Sequence, residues 1–151
     1  NDIQFIWQTG KYYYPQVTEA VRAAGELPNL YVTDFIKDMA AAYAASDLVI
    51  SRAGAGSISE FCLLHKPVVL VPSPNVAEDH QTKNALALVD KQAAIYVKDS
   101  EAEAKLMDVA LNTVADDRKL KELSENIAKL ALPDSARIIA QEVIKLAEAE
   151  N

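Results

Sequence analysis

The segment from Ser51 to Glu60 holds the residues whose types and spacing are best suited to chemistry. An apolar run, Leu48–Ile50, leads into it, and a helical pattern over Ser57–Leu64 leaves it. A strand that turns through small residues into a helix leaves backbone N–H groups at the helix start without partners. Together with the helix dipole, such groups bind phosphate or another anion. Glu60 is predicted in the first turn of this helix, where its carboxylate can accept hydrogen bonds from sugar hydroxyls. The segment therefore predicts an anion site at a helix start.

The glycines of this segment do not form either of two familiar phosphate loops. Gly54 and Gly56 lack the spacing of the dinucleotide-binding fingerprint, and no Gly-Lys-Ser/Thr follows them as in a Walker loop. They can let a diphosphate approach the backbone closely, or they can support a tight turn. Glu60 can likewise bind a ribose or simply interact with the helix dipole. The local sequence leaves both pairs of alternatives open.

Two further segments carry groups that can contact sugar hydroxyls or the edge of a base. Gln81 and Asn84 are three residues apart, so on a helix they share a face. Amide side chains both donate and accept hydrogen bonds, as sugar hydroxyls require, although solvated residues at a helix start have the same pattern. The segment Phe35–Lys37 follows another predicted strand, where an exposed backbone pair can contact the edge of a base.

These segments depend on a regular alternation of strands and helices. The sequence predicts strands at Ile3–Trp7, Leu30–Phe35, Leu48–Ser51, Val68–Pro72 and Ala94–Val97. It predicts helices at Pro15–Ala24, Asp38–Ala45, Ser57–Leu64 and Gln81–Val89, then helical structure from Glu101 onward, interrupted near Pro133. Val68–Val71 is apolar at every position, as in a parallel strand covered on both faces. The alternation predicts an α/β fold: a doubly wound, mostly parallel sheet with flanking helices.

In such a sheet, ligands bind beyond the carboxyl ends of the strands. The loops predicted there are Gln8–Lys11, Asp34–Met39, Ser51–Ser57, Pro72–Gln81 and Lys98–Ser100. We expect the polar residues described above to meet at this edge.

Length and composition restrict the possible number of domains, the partners and the kinds of site. The 151 residues are most simply one domain, 1–151, and the net charge of -7 with no basic tract argues against a nucleic-acid partner. The single cysteine, Cys62, lies in an apolar helical run and is interpreted as an inert core thiol. His65 and His80 are not at metal-ligand spacing, so no metal site is predicted. The chain begins at Asn1 and enters an apolar run at once, which suggests a piece of a longer protein.

Taken together, these residues resemble the C-terminal, donor-binding domain of the MurG family. These are GT-B glycosyltransferases that add N-acetylglucosamine from UDP-N-acetylglucosamine to lipid I, making lipid II in peptidoglycan synthesis. The resemblance covers nearly the whole chain, which would be one Rossmann-like half of a GT-B fold, truncated at its N-terminus. The strongest segments are Trp7–Lys11, Phe35–Tyr43, Ser51–Gly54, Ser59–Glu60, and Gln81 with Asn84–Leu86.

The resemblance implies a role for each candidate residue. Ile36 would meet the uracil through its backbone, and Glu60 would accept from the ribose hydroxyls. Gln81 would hold hydroxyls of the N-acetylglucosamine, with Asn84 supporting that loop. The residues that would wrap the ribose and diphosphate at the helix start are Ala55, Gly56, Ser57, Ile58 and Ser59. The resemblance implies no catalytic residue in this chain, no cofactor and no metal.

The resemblance also implies partners for a full-length enzyme. The lipid I site, the catalytic base and the membrane-facing patch would belong to an N-terminal domain that we expect to lie outside this chain. The enzyme would be peripheral at the cytoplasmic face of the bacterial inner membrane and would serve cell-wall growth, cell shape and division. The same sequence pattern leaves open another GT-B UDP-sugar transferase, a UDP-N-acetylglucosamine 2-epimerase, or a non-catalytic α/β binding module.

Two departures from the family pattern carry structural expectations. His65 stands where such enzymes usually have glycine, so a positive φ is expected there. The family's first strand of this domain would lie upstream of residue 1, which leaves a gap between Ile3–Trp7 and Leu48–Ser51. We expect the chain either to rearrange at this gap or to cover its exposed strand edges by self-association.

Overall fold

The computed structural model describes residues 3–74 and 79–149. Strands and helices alternate through β5, as predicted, and further helices follow. The strands are β1 Phe5–Gln8, β2 Leu30–Thr33, β3 Val49–Ser51, β4 Val68–Leu70 and β5 Ile95–Tyr96. The helices are α1 Gly10–Ala24, α2 Met39–Ala45, α3 Ala55–Leu64, α4 His80–Val89, α5 Asp99–Val114, α6 Asp117–Ala128 and α7 Ser135–Ala149.

All strand pairs are parallel, which confirms the predicted α/β class. β1 pairs with β2, with Phe5 opposite Leu30 and Gln8 opposite Thr33. β3, β4 and β5 form a second sheet in that order, with β4 in the centre. The strands on the two sides of the predicted gap, β1 and β3, therefore belong to separate sheets.

The chain divides into two compact units, Asn1–Ser46 and Asp47–Asn151. In the first unit, α1 begins at Gly10, five residues before the predicted start at Pro15. Gly10 has φ 73°, a left-handed turn that lets the chain enter a helix directly after β1. Pro15 is accommodated inside α1 rather than starting it. No described residue of this unit is buried.

The second unit contains a well-packed core around β4. Val68, Val69 and Leu70 are fully buried, as predicted for a strand covered on both faces. α6 packs against α3 and α5, and its Leu123 and Ile127 are also fully buried. Cys62 on α3 is buried too, which confirms its interpretation as a core thiol, and burial raises the pKa of this thiol above its usual value.

The end of α3 and the surface of α7 are the remaining features of the helices. His65 follows α3 with φ 53°, confirming the expected left-handed conformation, and its carbonyl accepts a hydrogen bond of 2.8 Å from the Ser124 hydroxyl. On α7, the side chains of residues 135–148 are all exposed. None of the described helices is both long enough and apolar enough to span a bilayer.

Candidate functional site

The turn from β3 into α3 forms the predicted helix-start site. Arg52, Ala53 and Gly54 connect the two elements, and the first intrahelical bond runs from the Ile58 N–H to the Gly54 carbonyl at 3.0 Å. The N–H groups of residues 55–57 precede that bond and have no acceptor within the helix. Gly54 occupies the N-cap position and has no side chain with which to cap them. These groups and the positive end of the helix dipole therefore suit an anion.

Glycine is among the favoured N-cap residues, but no steric requirement explains why residue 54 is glycine. Its φ of −70° and ψ of 141° are accessible to any residue. A Cβ built at Gly54 would meet no other atom within 4 Å, and the same holds for Gly56. Neither a tight turn nor close packing of the described residues accounts for this glycine. The missing side chain instead leaves open space in front of the helix start.

Glu60 lies deeper in α3 than the sequence predicted. Because α3 starts at Ala55 rather than near Ser57, Glu60 is its sixth residue and belongs to the second turn, and no acidic residue occupies the first turn. The earlier start follows from Gly54, whose extended conformation caps the helix and leaves Ala55 and Gly56 helical. Glu60 still shares a helix face with Gly56 and Ser57, since residues three and four apart are neighbours. Its exposed side chain is thus on the face that leads to the helix start.

The other predicted α3 residues have mixed environments. Ala55 and Gly56 are exposed, whereas Ser57 and Ile58 are half-buried. The Ser59 hydroxyl donates to the Ala55 carbonyl at 3.0 Å, so it is turned back onto the helix. The backbone of residues 55–57, rather than the Ser59 hydroxyl, is therefore the polar surface at the helix start.

Gln81 and Asn84 lie on α4 and both contact Ala53, as their shared helix face predicts. The Gln81 side-chain oxygen accepts from the N–H groups of Ala53 at 3.2 Å and Ser73 at 2.9 Å. The Asn84 amide donates to the Ala53 carbonyl at 3.2 Å. We call this arrangement of Gln81, Asn84 and Ala53 the amide clip. Residues 75–78 of the predicted loop Pro72–Gln81 lie outside the described residues.

An ion pair at the same strand ends was missed by sequence reasoning. Nη1 of Arg52 donates to the carboxylate of Asp99 and to the carbonyls of Val71 and Pro72, at 3.1 and 3.3 Å respectively. Arg52 follows β3, Val71 and Pro72 follow β4, and Asp99 begins α5 after β5. Opposite charges in two of the predicted strand-end loops were the available signal. This guanidinium links all three strand ends of the second sheet.

Ile36 lies in the other unit, in the loop after β2. Its backbone N–H donates to the side-chain oxygen of Gln8 at 2.8 Å, which ties the loop to the end of β1. The Thr33 hydroxyl donates to the Phe35 carbonyl at 3.1 Å and stabilises the same turn. The structure therefore brings Ala55–Glu60, Gln81 and Asn84 together in the second unit, and holds Ile36 in a hydrogen-bonded loop of the first.

Residues 1–139 match the glycosyltransferase family 28 C-terminal domain. The chain belongs to this family. The match covers both units, so the β3–α3 turn and the Ile36 loop are both parts of a family 28 domain.

Close relatives of this family 28 domain have a common name. The chain is 82% identical over 147 residues to a protein of Bacteroides fragilis named UDP-N-acetylglucosamine--N-acetylmuramyl-(pentapeptide) pyrophosphoryl-undecaprenol N-acetylglucosamine transferase. It is 70% identical over 145 residues to a protein of the same name from Phocaeicola vulgatus. These matches cover 97% and 96% of the chain, but only 39% of each relative. The chain thus spans about two fifths of the length of these relatives.

The solved structures agree with the family assignment. The crystal structure of Acinetobacter baumannii MurG superimposes with a TM-score of 0.81 at 30% sequence identity, over 96% of this chain and 42% of that one. The resemblance to the MurG donor domain and the assignment to one Rossmann-like half of a GT-B fold are therefore confirmed.

Proposed function

We propose that the chain is the donor-binding half of an inverting transferase that moves N-acetylglucosamine from UDP-N-acetylglucosamine to lipid I. The observation that carries this proposal is the start of α3, where uncapped N–H groups face the space left by Gly54. The names of the relatives supply the donor and the lipid-linked acceptor. The helix start alone accounts only for binding of an anion. Binding of the sugar and of the uracil therefore depends on the other candidate residues.

Each candidate residue has a part in the proposed complex. The N–H groups of Ala55, Gly56 and Ser57 bind the diphosphate, with Ile58 and Ser59 completing that turn. Glu60 accepts hydrogen bonds from the ribose hydroxyls. Gln81 holds hydroxyls of the N-acetylglucosamine, with Asn84 supporting that loop, and the backbone at Ile36 contacts the uracil. To bind uracil through its N–H, Ile36 must exchange its bond to Gln8 for one to the base.

In the proposed reaction, this chain stabilises the leaving group, and the rest of the enzyme activates the nucleophile. A base supplied by the rest of the enzyme takes the proton from the acceptor hydroxyl, and that oxygen attacks the anomeric carbon. The bond from this carbon to the diphosphate breaks, and UDP leaves with the additional negative charge. Backbone N–H groups fixed at a helix start stabilise this charge without having to reorganise. The chain by itself is then expected to bind the donor weakly and to transfer nothing.

The proposed cellular setting follows from the acceptor. Undecaprenol is a lipid carrier, so an enzyme that acts on it works at a membrane surface. We place that contact, and the lipid I site, in the portion of the relatives that this chain does not span. The enzyme would be peripheral at the cytoplasmic face of the inner membrane and would serve peptidoglycan synthesis, cell shape and division. Self-association of the isolated chain is proposed as the way its open strand edges are covered.

A nucleotide panel tests the donor assignment. The 151-residue chain is titrated calorimetrically with UDP, UDP-N-acetylglucosamine, GDP and NAD. We expect UDP and UDP-N-acetylglucosamine to bind about tenfold more tightly than GDP or NAD, since about 1.4 kcal/mol of base contacts suffices for that ratio. Equal affinities for UDP and GDP would overturn the proposal.

A further inference from the structure

The side chain of Arg52 continues the hydrogen bonding of the second sheet beyond the ends of its strands. The last backbone bond between the two chain segments runs from the Val71 N–H to the Ser51 carbonyl at 2.9 Å. After Ser51 the chain turns toward α3, and Nη1 of Arg52 donates to the next carbonyls, of Val71 at 3.1 Å and of Pro72 at 3.3 Å. Both of these residues are buried, and buried carbonyls that lose a donor are unfavourable. The guanidinium therefore fixes the chain where it leaves β4.

Asp99 holds this guanidinium from the far side of the sheet. Its carboxylate accepts from the same Nη1, and Asp99 is the first residue of α5, which follows β5. A carboxylate in the first turn of a helix interacts favourably with the helix dipole, so α5 stabilises this charge. The side chains of Arg52 and Asp99 are 56% and 34% exposed, respectively, which places the pair at the open edge of the sheet and not in the core.

The anchored residue leads directly into the proposed diphosphate site. Arg52 is followed by Ala53, which is fully buried, and then by Gly54, the N-cap of α3. The N–H groups of residues 55–57 project from the next part of this turn. Such groups stabilise an anion best when they are already held in the binding direction and need not reorganise. An anchor at Arg52 supplies that constraint.

We propose that Arg52 and Asp99 are positioning residues, which hold the β3–α3 turn and the end of β4 in the arrangement that binds the diphosphate of the donor. This inference rests on the proposed function and deepens it. In this role neither side chain touches the ligand. The other role open to a cation near an anion site is direct attraction of the diphosphate, and the two roles make opposite predictions for Asp99.

The variant Asp99→Asn separates the two roles by the sign of its effect. It removes a negative charge near the proposed anion site, so direct attraction predicts tighter UDP binding. It also releases the guanidinium, so positioning predicts weaker binding, by about threefold for an exposed ion pair. UDP affinity is measured by calorimetry in about 0.15 M NaCl, where charges more than about 8 Å apart are largely screened. Unchanged or tighter binding would overturn the inference.

A double-mutant cycle tests whether Asp99 acts through Arg52. Arg52→Met keeps an apolar stem but loses the guanidinium, and UDP affinity should fall by about tenfold. Adding Asp99→Asn to Arg52→Met should cause no further loss, because no guanidinium remains to be held. A second, independent loss would contradict the inference. If Arg52→Met does not fold, the sign of the Asp99→Asn effect decides the question alone.

Thermal melts distinguish positioning from a role in stability only. Each variant is titrated at a temperature at which its melt shows it to be folded. A merely structural ion pair would lower the melting temperature and leave the UDP affinity of the folded chain unchanged, which would also contradict the inference.

The matched control is a second exposed pair of the same two residue types. Arg137 and Asp134 form an ion pair of 3.2 Å at the start of α7. Asp134→Asn and Arg137→Met should leave UDP affinity unchanged. A loss as large as that of Asp99→Asn would show a general effect of charge and would overturn the inference.

The unaltered chain separates this inference from the proposed function. If it does not prefer UDP to GDP, the proposed function fails before any variant is made. If it does prefer UDP and Asp99→Asn does not weaken that binding, the positioning role alone fails.

Discussion

The two units of the chain differ in how their folds are held together. Every buried hydrophobic residue of the described chain lies in the unit Asp47–Asn151, around β4, α3 and α6. The unit Asn1–Ser46 has a two-stranded sheet, and none of its described residues is buried. A two-stranded sheet is marginal by itself, because its hydrogen bonds are not backed by burial of apolar surface. The second unit therefore supplies most of the stability, and the first depends on strand pairing and loop hydrogen bonds.

The two units also use glycine differently at the same motif. Each has a strand that turns into a helix through glycine, at Gly10 before the body of α1 and at Gly54 before α3. A Cβ would have open space at both positions, but Gly10 has φ 73°, a conformation that favours glycine, whereas Gly54 has φ −70°. Glycine is a favoured N-cap residue, so the fold accommodates Gly54 without a steric requirement for it. We propose that the open space at Gly54 serves a diphosphate, whereas Gly10 serves the turn into α1.

The largest expected effect is on stability and uses one leucine from each unit. Leu123→Ala removes a fully buried side chain and should lower the free energy of unfolding by about 2–5 kcal/mol, including the cavity that remains. Leu27→Ala removes a side chain that is 43% exposed, and a change within about 0.5 kcal/mol is expected.

Each unit has its own natural reporter for this measurement. Cys62 is the only cysteine and is buried in the second unit, and Trp7 is the only tryptophan and lies in the first. Denaturant titrations monitored through the labelling of Cys62 should detect the loss of stability in Leu123→Ala. Trp7 fluorescence monitors unfolding of the first unit. Equal losses from the two leucine variants would remove the proposed contrast between the units.

The next largest effect concerns the ribose contact proposed for the second unit. Glu60→Gln should weaken UDP binding by about 1–3 kcal/mol, since a charged acceptor of hydrogen bonds is lost. It should weaken GDP by the same factor, because discrimination between bases is assigned to Ile36 in the first unit. Calorimetry with both nucleotides measures this, and Glu103→Gln on the exposed side of α5 is the control. If UDP affinity is unchanged, Glu60 does not belong to the site.

The smallest effect sharpens the comparison of the two glycines. Gly54→Ser places a good N-cap residue before α3, so stability should change by no more than about 0.5 kcal/mol. Its hydroxyl would occupy an N–H group of the first turn, and UDP affinity should fall by about threefold. Gly10→Ser should instead cost about 1 kcal/mol of stability, because a non-glycine residue is strained at positive φ. Thermal melts and UDP titrations of both variants give the comparison, and an unaltered UDP affinity in Gly54→Ser would count against ligand binding at this helix start.

The alternation of strands and helices was predictable because it depends on the hydrophobic period and composition of short segments of the sequence. Val68–Val71 indicated a strand covered on both faces, Cys62 the core, and Gln81 with Asn84 a shared face, and each is confirmed. The helix starts were harder, since a helix can begin before its apolar pattern does. α1 begins at Gly10 rather than Pro15, and α3 begins early enough to move Glu60 into the second turn.

Only a weak signal in the sequence, opposite charges in two predicted loops, indicated the side-chain partners at the strand ends. Arg52 and Asp99 meet only because β3, β4 and β5 are adjacent, which is a property of the sheet order. The role of Gln81 as a sugar ligand stays a prediction. Its oxygen also accepts from two backbone N–H groups, and the positions of these groups depend on the packing of two loops.

The most direct test of the central claim is an NMR titration of the 15N-labelled chain with UDP, which reports on each amide separately. We predict that the amides of Ala55, Gly56 and Ser57 shift most, and that Ile36 in the first unit shifts with them as its N–H leaves Gln8. The start of α1 at Gly10 and Lys11 serves as the internal reference, where little change is expected. Saturable shifts at α1 with none at residues 55–57 would contradict the account.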